Sequence, residues 1–526
     1  MPALGSEQHA VQVPMIRYAE DIGWRVVPQA EALRRRGGET GLVFAQTLTD
    51  KIVELNRENG LNGMHAAEVI RRLQSLPARI EGNREMLDML RGQWSVYHKG
   101  QKRQINVRLI EFDDDPLRNN TFEVTGEWEY TNGKERNRYD VVLLINGVPV
   151  LVAETKAAHK ADGLTEGIKQ IRRYHDQTPE MMAALQMFDV TQLRDLFYGV
   201  TWSLERKNIS NWRDEHQGDY EAKIKAFCDR RRILRYIEDY IVFATKDDET
   251  FKYVLRQYQT RAVEKIVARA EDPKKRRGLI WHTQGSGKTL TMITAAQMIL
   301  EHPAFEKPTV LMLVDRNELE TQLFNNLRAA GITPRVTGSK RDVAELLTSD
   351  YRGLIVSMIH KFEGIGKDLN TRQNIFVLID EAHRSTGGHL GNYLMGAIPN
   401  ATLIGVTGTP IDKTAYGKGT FKTFGVDDPP KGYLDKYLII ESVEDRTTLK
   451  LHYQLAPNEL RVGRELLEKE FLELPEAQGV ADIDELNAIL DRAVNLKAVM
   501  KDPDRVDAIA RFVAKNTSAS TWNRWG

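Results

Sequence analysis

Cysteine is nearly absent. A single Cys228 in 526 residues cannot close an internal disulfide, which excludes a disulfide-built secreted scaffold and suits a reducing cytoplasm. Long apolar runs are missing as well. The strongest, Val141 to Ala153, is broken by Asn146, Gly147 and Pro149, too short and too interrupted to cross a bilayer. No basic segment followed by an apolar core opens the chain, so the expectation is a cytoplasmic protein without a secretory leader. Net charge is also lacking. Lys plus Arg and Asp plus Glu stand at 74 each, which excludes coating by nucleic acid through bulk charge but not a local basic track. Arg34 to Arg36, Arg230 to Arg232 and Lys274 to Arg277 are the clusters that could form one, and each taken singly reads more simply as a solvated face. There is no internal repeat and no low-complexity tract.

What is present is a globular composition, 41% hydrophobic and 28% charged, in a chain long enough for three or four domains. To about residue 245 helical patterns mix with a strong β-hairpin. Leu87 to Tyr97 reads as helix, while Ile105 to Phe112 and Phe122 to Tyr130 read as strands. Asn132-Gly133 and Asn146-Gly147 are turn signals. Near Phe251 the rhythm changes. Gly278 to Trp281, Val310 to Asp315, Leu354 to Met358, Phe376 to Asp380 and Thr402 to Thr407 are short apolar strands between helical stretches. That alternation predicts an α/β domain with a doubly wound parallel sheet. After about residue 445 the pattern loosens into helical-looking stretches, Leu467 to Val499 and Arg505 to Lys515. The expected domains are 1–245, 246–445, and 446–526 as a linker with the incomplete start of a second doubly wound domain.

Thr283-Gln284-Gly285-Ser286-Gly287-Lys288-Thr289 lies between a strand and the helical run Leu290 to Leu300. Small residues there let backbone N–H groups wrap phosphate oxygens beside a helix N-terminus. Lys288 would reach the β- and γ-phosphates and Thr289 would take Mg²⁺. Alone the pattern is weak, because His282 stands where glycine is usual. Asp380-Glu381-Ala382-His383, at the end of the apolar strand 376–379, supplies the second half: Asp380 for hydrated Mg²⁺ and Glu381 for the attacking water. Together the motifs resemble the first motor domain of superfamily 2 helicases, which carries a T-x-G-x-G-K-T loop, D-E-x-H and a later small-hydroxyl motif. Thr407-Gly408-Thr409-Pro410 stands in that last place, which the resemblance makes a coupling element between hydrolysis and DNA movement. By the same resemblance Thr283, Gly285, Ser286, Gly287, Lys288, Thr289, Asp380 and His383 form the ATP site, Gln259 is the adenine-recognising glutamine, and His282 is tolerated. The family completes its site with arginines from a second motor domain. The chain stops before those motifs, so the expectation is nucleotide binding with poor turnover.

The second constellation is a nuclease. Tyr139-Asp140 opens an apolar strand, Asn146-Gly147 turns it, and the return strand ends Ala153-Glu154-Thr155-Lys156. Two carboxylates that hold Mg²⁺ and a lysine that activates water or offsets developing charge are what phosphodiester hydrolysis needs. Register decides whether they meet. A plain two-residue loop pairs Ile145 with Val148 and sets Asp140 opposite Ala153, with Glu154 on the other face. A three-residue loop, or a one-residue bulge at Pro149, pairs Asp140 with Glu154 instead, and proline favours bulges. Gln170 and Tyr174 follow one helical turn apart. Trp202 and Trp212 read as core.

This block resembles the PD-(D/E)xK nuclease module at the N-terminus of type I restriction subunits, with the aspartate, E-x-K and Q-x-x-x-Y in that order. The chain departs from it at Tyr139, in place of proline, and at Thr155, neither a metal ligand. The module sometimes adds an acid from the first helix, and Glu7 and Glu20 are the candidates. The resemblance implies an ATP-driven translocase of double-stranded DNA that cuts away from its recognition site. It also implies modification and specificity subunits as partners, with S-adenosylmethionine entering only through them, and contacts to DNA phosphates rather than bases. A stand-alone repair helicase–nuclease, or a nucleotide-gated DNA-binding module without turnover, are the other readings.

Overall fold

The computed structural model describes residues 8–445 apart from 158–161, 194, 214–217, 247–248, 315–326, 328–330, 386–388, 412 and 415–416, and further on residues 447, 448, 507, 510 and 511. The chain divides into two compact units, Met1–Leu449 and Lys450–Gly526. The helical stretches expected at 467–499 and 505–515 lie outside the described residues, apart from Asp507, Ala510 and Arg511 in helical conformation.

The first unit carries two seven-stranded sheets. The N-terminal one is mixed, in the order Arg25–Val26, Phe122–Thr131, Arg136–Ile145, Val148–Thr155, Met187–Thr191, Leu196–Val200, Ser210–Asn211. Its first pair and its Val148–Thr155/Met187–Thr191 pair are parallel and the rest antiparallel. Every residue of Val148–Thr155 is buried, as befits a central strand covered on both faces. The second sheet is wholly parallel, in the order Arg335–Val336, Gly353–Met358, Thr309–Val314, Ile375–Ile379, Thr402–Thr407, Arg277–His282, Asp435–Tyr437. It is the parallel sheet expected from the alternating pattern, and it has the RecA-like arrangement that the resemblance to helicase motor domains implies. Five of its strands coincide with the apolar runs in the sequence; the flanking Arg335–Val336 and Asp435–Tyr437 do not.

Two local expectations are corrected. The helix over Leu87 to Tyr97 is instead Ile80–Leu90, closed at Gly92 with φ of 69°, and Ser95–His98 is a strand. The strand over Ile105 to Phe112 spans only Arg103–Asn106, its partner in a two-stranded ribbon. Beyond it Val107, Leu109 and Ile110 are buried as core without a ladder partner, so apolarity there reports burial and not a strand.

Between the sheets the hairpin Ile241–Lys246/Glu249–Val254 leads straight into the motor helix Gln257–Glu271. Lys252 pins this hairpin to the nuclease-side sheet. Its ammonium is fully buried and donates to Asn83 Oδ1 (2.6 Å), the Gln186 carbonyl (2.8 Å) and Gln186 Oε1 (2.9 Å), with Thr201 Oγ1 at 3.2 Å. One hydrophobic cluster runs through the junction, from Tyr198 and Phe227 past Leu255 to Ile266 and Val310. Among the described residues no helix is long and apolar enough to cross a membrane.

Candidate functional site

The hairpin settles its register by a bulge. Asn146 and Gly147 both take positive φ (52° and 81°), the conformation of a two-residue I′ turn, so Ile145 pairs with Val148 and Leu144 with Pro149. The ladder then slips by one. Leu143 pairs with Leu151, and Val150 has no partner on that strand; its carbonyl accepts instead from Gln186 N–H at 3.0 Å. Val141 therefore meets Ala153, and one step on Asp140 stands against Glu154. The opposite neighbour is irregular at the same level: Glu127 has φ of 54° between the pairs Gly126–Val141 and Trp128–Tyr139.

The end of this hairpin gathers the expected nuclease side chains. Asp140 Oδ2 accepts from Thr155 N–H at 2.9 Å and Thr155 Oγ1 at 3.0 Å. Lys156 Nζ lies 2.5 Å from Glu154 Oε1. Tyr174 Oη is 2.8 Å from both Glu154 Oε2 and the Arg138 carbonyl, and Gln170 Nε2 donates to it at 2.9 Å. Burial, aided by the charge of Asp140, pushes the Glu154 carboxyl up to about 8 against the pull of Lys156 and Tyr174. The Tyr174 hydroxyl has one proton for its two acceptors, the Glu154 carboxyl and the Arg138 carbonyl. Asp140, Glu154, Lys156, Gln170 and Tyr174 thus share one buried corner.

Three supports went unforeseen in the sequence. Gln12 Nε2 donates to the Asp140 carbonyl (2.7 Å) and to Glu127 Oε1 (2.8 Å). Tyr139 packs on Tyr174 with ring centres 4.3 Å apart, and its hydroxyl meets Thr178 Oγ1 at 2.7 Å. A lone amide or hydroxyl carries no spacing signal. Glu7 lies outside the described residues, and Glu20 is exposed on helix Val13–Asp21. Trp212 is fully buried and Trp202 half-buried, its Nε1–H on the Met182 carbonyl. Among the described residues no group of three or more His, Cys, Asp or Glu side chains is placed to hold a metal ion. Two carboxylates suit a hard cation that keeps its waters and shares a substrate phosphate.

The second site lies at the carboxyl end of the parallel sheet. The loop after Arg277–His282 turns through Gly285 and Gly287 (φ 78° and 77°) into helix Lys288–Glu301. Ser286 Oγ donates to the Thr283 carbonyl at 2.7 Å. Lys288 Nζ approaches Glu381 Oε1 at 4.0 Å across the loop mouth, and Thr289 is half-buried beside it. Burial raises the Asp380 carboxyl, which accepts from Glu381 N–H at 2.9 Å. His383 Nδ1 reaches Thr407 Oγ1 at 2.8 Å and Thr409 Oγ1 at 3.5 Å, which joins the acidic motif to the hydroxyl motif. Gly408 lies against the phosphate loop so tightly that a Cβ there would come 2.9 Å from Gln284 N and 3.1 Å from the His282 carbonyl.

Gln259 is buried and spent on the loop: Nε2 donates to the Gly287 carbonyl (3.0 Å) and Oε1 accepts from Arg256 N–H (2.8 Å). His282 has a reason of its own. Its Nε2 meets Asp435 Oδ2 at 2.8 Å, and Asp435, also held by Arg261 and Lys265 at 2.7 Å each, is kept well below the usual carboxylate range despite burial. Much of the basic clusters is structural. Arg35 pairs with Glu123 at 2.8 Å, Arg36 and Arg232 lie over the Trp128 and Trp212 rings, and Arg276 bonds the Asn400 carbonyl.

Comparison with known proteins finds two families along the chain. Residues 5–201 match the family described as type I restriction enzyme R protein N terminus (HSDR_N), and residues 258–482 match SWI2/SNF2 ATPase. Among curated relatives are the putative type I restriction enzyme MjaIXP endonuclease subunit of Methanocaldococcus jannaschii, 26% identical over 79% of this chain and 42% of that one. The type I restriction enzyme HindI endonuclease subunit of Haemophilus influenzae is 27% identical over 83% of this chain and 44% of its own. The chain spans less than half the length of these relatives. A solved structure of the ATP-dependent Type ISP restriction-modification enzyme LlaBIII bound to DNA is similar at 19% identity over 38% of this chain and 16% of that one, with a TM-score of 0.27. The chain joins an N-terminal HsdR-like nuclease region to a superfamily 2 ATPase motor domain, consistent with a type I restriction R subunit.

Proposed function

We propose that this chain is the part of a type I restriction subunit that pulls double-stranded DNA by ATP hydrolysis and cleaves it away from the recognition site. The observation that carries this reading is the Val150 bulge, which turns an ordinary hairpin into one that sets Asp140 against Glu154 and Lys156, in a chain that also holds a phosphate loop. The nuclease spans 1–245 and the motor 246–445, with 446–526 a linker and the opening of a second motor domain.

In the nuclease, Asp140 and Glu154 would hold Mg²⁺, whose positive charge polarises the scissile phosphate. Lys156 orients the attacking water and offsets charge on the phosphate as the bond breaks. Tyr174, fixed by Gln170, holds Glu154 in place. In the motor, backbone N–H groups of residues 285–288 and Lys288 bind the ATP phosphates; Thr289 and Asp380 would hold its Mg²⁺. Glu381 takes the proton of the attacking water, and His383 passes the state of the site to Thr407, Gly408 and Thr409. Modification and specificity subunits in the cytoplasm supply sequence recognition, and S-adenosylmethionine belongs to them.

The test uses the complex assembled with those subunits. Glu154→Ala and Lys156→Ala should abolish cleavage and spare ATP-dependent translocation; Lys288→Ala should abolish both by removing nucleotide binding. Loss of translocation in either nuclease variant would contradict the division of labour.

A further inference from the structure

The phosphate loop is gripped from outside by the nuclease-side polypeptide, along two routes that start at Lys207 and at Arg213. We propose that Arg256 and Arg213 are positioning residues for nucleotide binding, through which segment 205–213 of the nuclease region sets the shape of the motor's phosphate loop. This rests on the ATP-binding reading of that loop.

The first route is short. Arg256 donates through its guanidinium to the Lys207 carbonyl at 2.9 Å and through its backbone N–H to Gln259 Oε1 at 2.8 Å. The other end of the same amide holds the Gly287 carbonyl at 3.0 Å. Turning the Gln259 amide elsewhere would break its bond to Arg256 or its bond to Gly287.

The second route runs through the last strand of the motor sheet. Arg213 Nε lies 2.6 Å from Asp445 Oδ1, and its NH1 meets Glu444. Asp445 Oδ2 accepts from the Tyr437 hydroxyl at 2.8 Å. The Tyr437 ring stacks on Tyr258 with centres 3.6 Å apart and planes 11° from parallel. Tyr258 Oη donates to the Ser286 carbonyl at 2.8 Å, and the Tyr437 carbonyl accepts from Thr283 N–H at 2.9 Å. The loop backbone is therefore held at residues 283, 286 and 287.

Segment 205–213 is itself anchored. Ser210–Asn211 is the edge strand of the nuclease sheet, and Trp212 is fully buried with its backbone N–H on the Leu196 carbonyl at 2.8 Å. Arg213 thus leaves a fixed point and ends on a motor carboxylate. Phosphate binding needs loop N–H groups already turned inward, and a loop held in that shape binds without an ordering cost. Cutting either route weakens nucleotide binding although neither arginine touches a residue 285–289 side chain. Coupling in binding free energy is reciprocal, so nucleotide tightens the Arg213–Asp445 contact in turn.

The experiment is titration of the full chain with a fluorescent, slowly hydrolysed ATP analogue and Mg²⁺. Arg213→Ala, Asp445→Asn and Arg256→Ala are each expected to raise Kd about fivefold or more, within the usual range of site coupling. Arg213→Ala combined with Asp445→Asn should weaken binding no further than either alone, and Arg213→Lys should recover part of the loss. In steady state KM for ATP rises while kcat stays within about twofold, a split that general loss of fold does not produce. Kd within twofold of the parent for all three single variants, or multiplying effects in the double variant, overturns the proposal. Absence of analogue binding by the parent chain overturns the ATP-binding reading itself and is read separately.

Discussion

Replacing Asn83 by Leu tests how firmly the nuclease region holds the strut that leads to the motor. Asn83 is wholly buried; its Nδ2 donates to the Ala183 and Leu185 carbonyls at 2.8 Å each, and its Oδ1 receives Lys252 at 2.6 Å. Leu keeps the same branching at Cγ, so no cavity opens, and its bulkier methyl groups can only add to the polar loss. One charge-assisted bond at about 2 kcal/mol and two stranded carbonyls at about 1 kcal/mol each give about 4 kcal/mol. For a cooperative unit of about 150–250 residues that corresponds to a fall in Tm of roughly 8–16 °C, measurable by calorimetry or circular dichroism. Lys252 is the partner that suffers, so in the Asn83→Leu background Lys252→Met should cost less than it does alone, by about 2 kcal/mol, because it removes an ammonium already short of an acceptor. A fall below about 2 °C, the loss expected from roughly 1 kcal/mol or less, or strict additivity of the two substitutions, would refute the argument that this network fixes the hairpin.

Three further outcomes follow from particular contacts. Burial lowers Lys252 well below its ordinary 10.5, so between its folded and unfolded values the unfolded chain holds a proton that the folded one has released. The stability of the parent relative to Lys252→Met should therefore rise with pH toward 10.5 and fall as pH drops through the folded value, read from urea midpoints between pH 7 and 10. Inserting one alanine between Val152 and Ala153 moves Glu154 and Lys156 one step along the ladder, sets Asp140 at the level of Ala153, and should abolish DNA cleavage by the assembled complex while ATPase activity persists; cleavage retained would show that this register is dispensable. Gly408→Ala drives a methyl against Gln284 N and the His282 carbonyl and should lower ATPase turnover on the order of tenfold or more, with cleavage chemistry at the hairpin untouched when assayed on short duplexes.

The motor was legible because a strand buried on both faces must be written in apolar residues. Phe376-Val377-Leu378-Ile379 and its neighbours therefore announced the sheet, and the chemistry followed at their carboxyl ends. The need for a bulge was also legible, since the arithmetic of pairing left few ways for Asp140 to meet Glu154, but its place was not: the extra residue is Val150, and Pro149, expected to bulge, pairs with Leu144. What escaped is what period and composition do not encode. Asp435–Tyr437 is three residues long and two-thirds charged, yet it is a strand with both ends buried because Arg261 and Lys265 neutralise its aspartate and His282 hydrogen-bonds it. The helix expected through Tyr97 failed because apolar residues at 87, 89, 90 and 94 fit a helical face while Gly92 breaks the backbone that would carry them. The contacts of Gln12 and Gln259 join residues far apart in sequence or bond backbone carbonyls, which leaves no trace in side-chain pattern.

The strand Asp435–Tyr437 has a practical consequence for handling the protein. It covers the flank of Arg277–His282, whose Leu279 and Ile280 are fully buried and whose backbone would otherwise face solvent along an open ladder. A fragment ending before Asp435 would expose that ladder as a ready template for strand addition between molecules, and the phosphate loop would then sit at the sticky margin of an aggregating sheet. Soluble yield should therefore depend more on keeping these three residues than on much of what surrounds them.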